Sequence, residues 1–249
     1  EESGQVQVVN EKTLRISYLA FDVDGSSGQD YFTDQKVRAA FAHAINREAI
    51  AKELVGPASV AIHSACHPEQ FACSQDVPHY DYNPEKAKEL LAEAGYPDGF
   101  KFDLYGYRER EFTEAVIGDL AAVGIQANLN WLQYSSLLEK VQNGETPVNH
   151  MTWGSSSIPD VAAITSHFFS GSSDDPAKDP RTAEALARGD TSVDPEVRKE
   201  AYQEALNIIA EEVYWLPMFT YAKYYVFSND LDFTPTADEI PRLYEASWK

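Results

Sequence analysis

Segments with the pattern of β-strands alternate with segments that have the pattern of α-helices through the middle of the chain. Three runs mix β-branched and aromatic residues with polar ones as strands do: FKFDLYGY, IQANLNWL and VNHMTW, at residues 100–107, 125–132 and 148–153. Helical patterns, FTEAVIGDLAAVGI and SSLLEKVQNG, fill the two gaps between them. This order predicts an α/β domain with a largely parallel or mixed sheet flanked by helices.

The same pattern extends toward both ends of the chain. KTLRISYLAFDV, residues 12–23, has the composition of a strand. Capping residues and helical spacing of apolar residues predict helices over residues 34–55, 84–95 and 195–213. The Asp-, Pro- and Ser-rich residues 170–194 predict a surface segment around a short helix, and the aromatic-rich tail shows no helical periodicity.

The composition narrows the class of partner. The 249 residues are 43% hydrophobic, which is enough for a substantial core, and they carry 20 Lys and Arg against 40 Asp and Glu. A formal charge of −20 leaves no basic cluster that could neutralise a row of phosphates, so nucleic acid is not an expected partner. At long range this charge favours cationic over anionic ligands.

The start of the sequence bears on localisation. No apolar run approaches the roughly 20 residues of a membrane-spanning helix, and no signal-peptide pattern opens the chain. The first residue is Glu1. We therefore expect a processed protein or a fragment of a longer one, whose export signal would lie in the missing part.

Both cysteines lie in one short segment, HSACHPEQFACSQDVPH, and three histidines lie close to them. Cys66 and Cys73 are near enough in sequence to form a disulfide if the backbone turns back on itself. Free buried thiols and a metal site that uses His63, His67 or His79 are the alternatives, although the spacing matches no usual structural zinc pattern. A disulfide, which is the favoured interpretation, would indicate a protein that works outside the reducing cytosol.

A Trp-Gly-Ser loop follows the predicted strand VNHMTW. In open α/β sheets ligands bind beyond the carboxyl ends of the strands, which is where this loop begins. Trp153 can stack on a ligand, Gly154 permits close backbone approach, and Ser155, Ser156 and Ser157 offer hydroxyl and amide groups. Trp153 could equally fill the core.

Two further sets of charged residues are candidates for ligand contacts. Asp160 can pair with an ammonium group or cap the helix that follows it. After another predicted strand, Tyr107, Arg108 and Arg110 could reach a carboxylate, because Arg is the natural bidentate partner of that group. The arginines could instead pair on the surface with neighbouring glutamates.

The sequence carries no pattern of an enzyme. It has no G-x-S-x-G elbow and no Walker or dinucleotide glycine loop, and no His or Asp is tied to the serines after Trp153 by a recognisable pattern. A non-enzymatic protein without a cofactor or a metal is expected. A serine hydrolase and a protein-interaction scaffold are the alternatives from other functional classes.

Four motifs in a fixed order resemble one family of receptors. QKVRAAFAHAINREAI, YNPEKAKELLAEAGYPDGF, the Trp-Gly loop with its Asp, and VRKEAYQEALNIIAEEVYWLPMF are similar to the C-terminal lobe of bacterial extracellular solute-binding proteins of family 5. These are the peptide- and nickel-binding receptors of ABC importers. Family members often carry an acidic residue sooner after the Trp-Gly pair, for a peptide's amino terminus, whereas serines stand there in this chain.

The resemblance implies a fold, a division of the chain and partners. It implies a type II periplasmic-binding-protein-like lobe at residues 1–220, with hinge crossings near 11–20 and 215–225. Residues 221–249 would be a tail that packs on the missing N-terminal lobe. The expected function is capture of a peptide-like solute in the periplasm for an ABC permease. A sugar and a metal chelate are the alternative solutes.

Overall fold

The computed structural model describes residues 4–155 and 158–249. The strands are β1 (Val6–Phe21), β2 (Lys101–Gly106), β3 (Gln126–Trp131), β4 (Val148–Gly154), β5 (Trp215–Ser228), β6 (Leu231–Asp232) and β7 (Ser247–Trp248). The α-helices are α1 (Gln35–Ala44), α2 (Arg47–Ala49), α3 (Pro84–Glu93), α4 (Arg110–Ala121), α5 (Tyr134–Gln142), α6 (Ala162–Phe168), α7 (Pro180–Thr191) and α8 (Pro195–Glu211). No helix in the described ranges is long and apolar enough to cross a membrane.

Five strands form one mixed sheet, in the order β3-β2-β4-β1-β5. β2 pairs in parallel with both β3 and β4, whereas β1 pairs antiparallel with β4 and β5. The predicted mixed α/β sheet is therefore confirmed. The carboxyl ends of β2, β3 and β4 lie at one edge of the sheet, and β4 continues beyond β2 because Gly106 is opposite His150.

Helices cover both faces of the sheet, as predicted. Side chains of β1 alternate between the two faces: Leu19 and Phe21 join the apolar core under α1, α3 and α4. Ile16 and Tyr18 join a second core, which is completed by α5 to α8. The second core is the one next to the Trp-Gly loop.

The predicted helix over residues 34–55 is divided in the structure. α1 ends at Ala44, α2 starts after Asn46, and residues 50–55 form a π-helical turn. The Asn46 side-chain oxygen accepts a hydrogen bond from the Ala49 backbone amide, and the backbone amide of Asn46 donates to the Asp119 carboxylate at 2.9 Å. Asn at this position stabilises a new helix start more than continuation of the old helix, which explains the break.

The aromatic-rich end of the chain begins with a long strand, β5. β5 pairs with β1 from Ala20 opposite Trp215 to Val6 opposite Ser228, so that the two form a long ribbon. The strand predicted at residues 12–23 consequently begins earlier than its composition indicated. Both expected hinge crossings lie within this ribbon, and the division at residue 220 stays a prediction.

Candidate ligand-binding site

The loops that follow β2 and β4 meet at the carboxyl edge of the sheet. The Tyr107 hydroxyl lies 2.9 Å from Thr152 Oγ1, so a direct hydrogen bond joins the loop after β2, which is called the first loop, to the end of β4. Arg15 of β1 also donates to Thr152 Oγ1, at 3.1 Å. The structure therefore brings Tyr107 and the Trp-Gly loop together at this edge of the sheet.

Trp153 is half-buried and forms part of an aromatic cluster. Its ring stacks on His167 with centroids 5.2 Å apart, and the edge of Phe168 lies against it at 5.0 Å. Its indole nitrogen is buried and has no hydrogen-bond partner within the described part of the chain. Trp153 thus combines a partly accessible aromatic surface with an unused donor, which suits a ligand-contacting residue as well as a packing one.

The glycine after Trp153 makes room for a side chain of this same lobe. A Cβ atom at Gly154 would lie 2.9 Å from Nη2 of Arg15. That guanidinium also donates to Glu239 at 2.8 Å, so it ties the tail to the edge of the sheet. Sequence reasoning missed Arg15, because nothing near it in sequence indicates a partner 224 residues away.

The serines of the loop are described only in part. Ser155 is buried, and its hydroxyl has no hydrogen-bond partner among the described residues. Its amide lies 3.5 Å from the carbonyl of Leu14. The other two predicted site serines, Ser156 and Ser157, lie outside the described residues.

Asp160 is occupied by contacts within the lobe. Its two carboxylate oxygens accept from Arg198 at 2.8 and 2.9 Å, and one of them also accepts from the Ala162 amide at the start of α6 at 3.0 Å. This is the helix-start contact that the sequence offered as an alternative to a ligand contact. A ligand ammonium group would have to compete with a bidentate guanidinium for the same oxygens.

A disulfide-containing segment supports the Trp-Gly loop from outside. Cys66 and Cys73 are joined with an S–S distance of 2.05 Å. Two residues between the cysteines contact the residues that follow the loop. The Phe71 amide donates to the Pro159 carbonyl at 2.8 Å, and the Phe71 carbonyl accepts from the Val161 amide at 3.1 Å. The Gln70 side chain donates to the Asp160 carbonyl.

The metal-site alternative finds no support around this disulfide. The His63 and His79 rings are stacked with centroids 3.9 Å apart, and His67 Nδ1 accepts from a backbone amide. Burial lowers the pKa of His63 to about 4. Residues 4–155 and 158–249 contain no group of three or more His, Cys, Asp or Glu that could hold a metal ion.

Removing the disulfide is expected to lower the free energy of unfolding by about 2 to 3 kcal/mol, because closing a short loop removes entropy from the unfolded chain. The change is the double variant Cys66→Ser/Cys73→Ser, measured by urea unfolding. Wild-type protein unfolded without reductant should show no free thiols, and after reduction it should match the double variant. Two titratable thiols before reduction would contradict the pairing.

The arginines of the first loop have carboxylate partners. Arg108 Nε donates to Glu109 at 2.7 Å, and its guanidinium lies over the Tyr221 ring at 5.6 Å. Arg110 Nε donates to Glu114 at 2.7 Å on the exposed face of α4. Both contacts are the surface pairs that the sequence left open, and Arg110 also lies over the ring of Trp131 at the end of β3, at 6.0 Å.

A cavity of about 460 Å³ opens beside Trp153, between the sheet and α5. Trp153 is one wall, and the remaining aromatic walls include Tyr18, Phe168 and Trp215. Burial raises the pKa of Tyr18 well above its ordinary value, so its hydroxyl stays protonated. The sequence shows the aromatic residues but not their convergence, because they come from β1, α6 and β5.

Comparisons with known proteins agree on one family. The model for bacterial extracellular solute-binding proteins, family 5 Middle, matches residues 1–175. The heme-binding protein A of Haemophilus influenzae is 25% identical, over 86% of this chain and 41% of its own length. The dipeptide-binding protein of Escherichia coli is 33% identical, over 59% of this chain and 28% of its own length.

The fold has a close counterpart among solved structures. The dipeptide-binding protein of Pseudoalteromonas sp. SM9913, solved in complex with Met-Leu, matches 98% of this chain and 50% of its own, with a TM-score of 0.85 and 23% identity. This structural similarity establishes the fold of the chain. The chain spans less than half the length of the curated relatives that it matches.

Proposed function

Because the chain belongs to the bacterial extracellular solute-binding proteins of family 5, we propose that it is the C-terminal lobe of the substrate-binding component of an ABC importer. The solute would be peptide-like, since a dipeptide-binding protein is 33% identical to this chain over the part that matches. The protein would act in the periplasm and deliver the solute to a membrane permease. A sugar or a metal chelate is the alternative solute.

The position of the Trp-Gly loop carries this proposal. Trp153 and Ser155 lie at the carboxyl edge of the sheet with buried polar atoms that lack hydrogen-bond partners in the described lobe. Such atoms are costly unless a ligand or another part of the protein satisfies them. A cleft that closes between two lobes would bury a solute against this edge.

The ribbon and the tail support the idea of a second lobe. Apolar side chains are exposed along the outer part of β1 and β5 and in the tail: Val8, Tyr224, Val226, Ile240, Leu243, Tyr244 and Trp248. An apolar surface of this kind commonly marks an interface. We propose that the N-terminal lobe packs there.

In the serine-hydrolase alternative a base would contact a serine of the loop, but the Ser155 hydroxyl has no hydrogen-bond partner among the described residues. Within the described chain, His150 contacts Ser17 Oγ and Thr113 Oγ1, both at 2.8 Å. Successive side chains of a strand point to opposite faces, so His150 does not share the face of Trp153 and its cavity. This arrangement favours binding without chemistry.

Replacing Trp153 by alanine in the full-length protein is expected to weaken solute binding by about ten-fold or more, because large aromatic residues dominate binding energy. The solute is first found by a thermal-shift screen of dipeptides and tripeptides, oligosaccharides and metal chelates, and its affinity is then measured by calorimetry. Tyr82→Ala, which removes an exposed aromatic ring at the start of α3, serves as the control.

Two outcomes would count against the proposal. One is that no solute in the screen raises the melting temperature of the full-length protein. The other is that a solute binds equally well to wild-type protein and to the Trp153→Ala variant.

A further inference from the structure

The cavity beside Trp153 has walls suited to a flat apolar group. The rings of Tyr18 and Trp215 are stacked, with centroids 3.5 Å apart and planes 4° from parallel. Phe168 packs against Trp215 at 4.7 Å, and Met151 of β4 completes the apolar surface. A volume of about 460 Å³ is in the range of pockets that take small organic ligands.

Two buried polar groups that line this cavity lack a hydrogen-bond partner within the described ranges: the Trp153 indole nitrogen, a donor, and the Asn149 side-chain oxygen, an acceptor. Asn149 is 5% exposed and lies on β4, on the same face as Met151. Its Nδ2 donates to Thr146 Oγ1 at 3.3 Å, but its Oδ1 has no hydrogen-bond partner within the described ranges. A buried acceptor is stabilised when a donor reaches it, so the cavity is prepared for a ligand that carries an N–H or O–H group.

The charges around the cavity favour a cation. Besides Tyr18 and Tyr134, the ionisable groups of the described residues that line it are four carboxylates, one ammonium and an imidazole: Asp22, Asp24, Asp174, Asp175, Lys178 and His167. Asp22 and Asp175 already accept backbone N–H groups of their own loops. Asp24 and Asp174 retain more acceptor capacity, and aromatic ring faces also attract cations.

We propose that this cavity is a binding site for an amine attached to an apolar, ring-sized group. The ring would pack against Tyr18, Phe168 and Trp215, and the amine would donate to Asn149 Oδ1 within the negative field of the carboxylates. This goes beyond the proposed function, because the site is built from this lobe alone and does not need a cleft between lobes.

Calorimetry of the full-length protein with 2-phenylethylamine and 3-phenylpropionate tests the class of ligand. The two probes carry similar rings and opposite charges. We expect the amine to bind about ten-fold or more tightly than the carboxylate, and its affinity to fall with added salt. Absence of amine binding, or carboxylate binding of equal strength, would overturn the proposal.

Two variants test whether the amine binds in this cavity. Leu138→Trp fills the cavity from the partly exposed face of α5, and Asn149→Leu removes the acceptor. Leu138→Trp is expected to weaken amine binding about ten-fold and Asn149→Leu about five-fold. Leu54→Trp changes a leucine that is 45% exposed and does not line the cavity, so affinity should stay at the wild-type value.

The outcome is separable from that of the proposed function. Amine affinity that is unchanged in both Leu138→Trp and Asn149→Leu, with melting temperatures that show folded protein, would place the site elsewhere and overturn the inference. Failure of the full-length protein to capture any solute in the screen, with amine binding intact, would instead contradict only the receptor function.

Discussion

Replacing Arg47 by methionine is expected to lower the free energy of unfolding by about 3 to 5 kcal/mol. Arg47 is 2% exposed, and its guanidinium donates to three backbone carbonyls: those of Ile62 at 2.9 Å, Tyr80 at 2.7 Å and Pro217 at 3.0 Å. Methionine keeps much of the apolar stem but leaves these buried acceptors without their donor. Burial lowers the pKa of Arg47, which reflects the same cost of desolvating its charge.

The expected effect extends to the candidate site. The carbonyls of Ile62 and Tyr80 flank the disulfide-containing segment, which in turn is hydrogen-bonded to Pro159, Asp160 and Val161. Loss of Arg47 would therefore loosen the support of the Trp-Gly loop. We expect the variant to bind its solute more weakly even at temperatures where it remains folded.

Urea unfolding of wild-type and variant protein measures the effect. Arg110→Met is a matched control, because Arg110 makes an exposed contact with Glu114 one helical turn away, and its loss should cost less than about 0.5 kcal/mol. A loss below about 1 kcal/mol for Arg47→Met would show that the three carbonyls find other partners.

The fold was largely predictable because its signals are local. Strand and helix patterns come from neighbouring residues, and the helix starts at Asn83 and Asp194 rest on capping side chains that accept hydrogen bonds from Lys86 and Glu196. The break after α1 was missed because the apolar spacing continues through Asn46, whose local cap of α2 is supported by a hydrogen bond to Asp119, far away in sequence. A single long-range hydrogen bond does not disturb the local apolar pattern.

The candidate site was predictable in position more than in detail. The rule that ligands bind beyond the carboxyl ends of parallel strands located Trp153 and Tyr107 at one edge. It could not reveal that Arg198, from α8, forms a salt bridge with Asp160, nor that Arg15 packs against Gly154. Each of these pairs joins residues from separate elements, and only the folded chain brings them together.

His150 is expected to make the lobe sensitive to acid. Its ring lies between Ser17 and Thr113 inside the sheet layer, and burial lowers its pKa to about 4 from an ordinary value of about 6.5. Because the unfolded chain binds the proton at a higher pH than the folded chain does, folding is favoured least in acid. The contribution of His150 to the free energy of unfolding is constant above about pH 7 and falls as the pH drops to about 4. The loss over this range is about 3 kcal/mol.

Urea unfolding at several pH values between 4 and 7.5 tests this expectation, with wild-type protein compared with His150→Gln. Glutamine does not titrate, so the variant should lose less stability across this window by about 3 kcal/mol, whatever its stability at pH 7. His63→Gln is the matched comparison, because the pKa of His63 is also lowered to about 4, but that residue is only half-buried and solvent screens it. His63→Gln should therefore reduce the pH dependence of the free energy of unfolding less than His150→Gln does. If the free energy of unfolding changed with pH in the same way for wild-type protein and His150→Gln, the folded lobe would accept a proton on His150 without cost. The position of His150 between two hydroxyl groups in an apolar layer argues against that result.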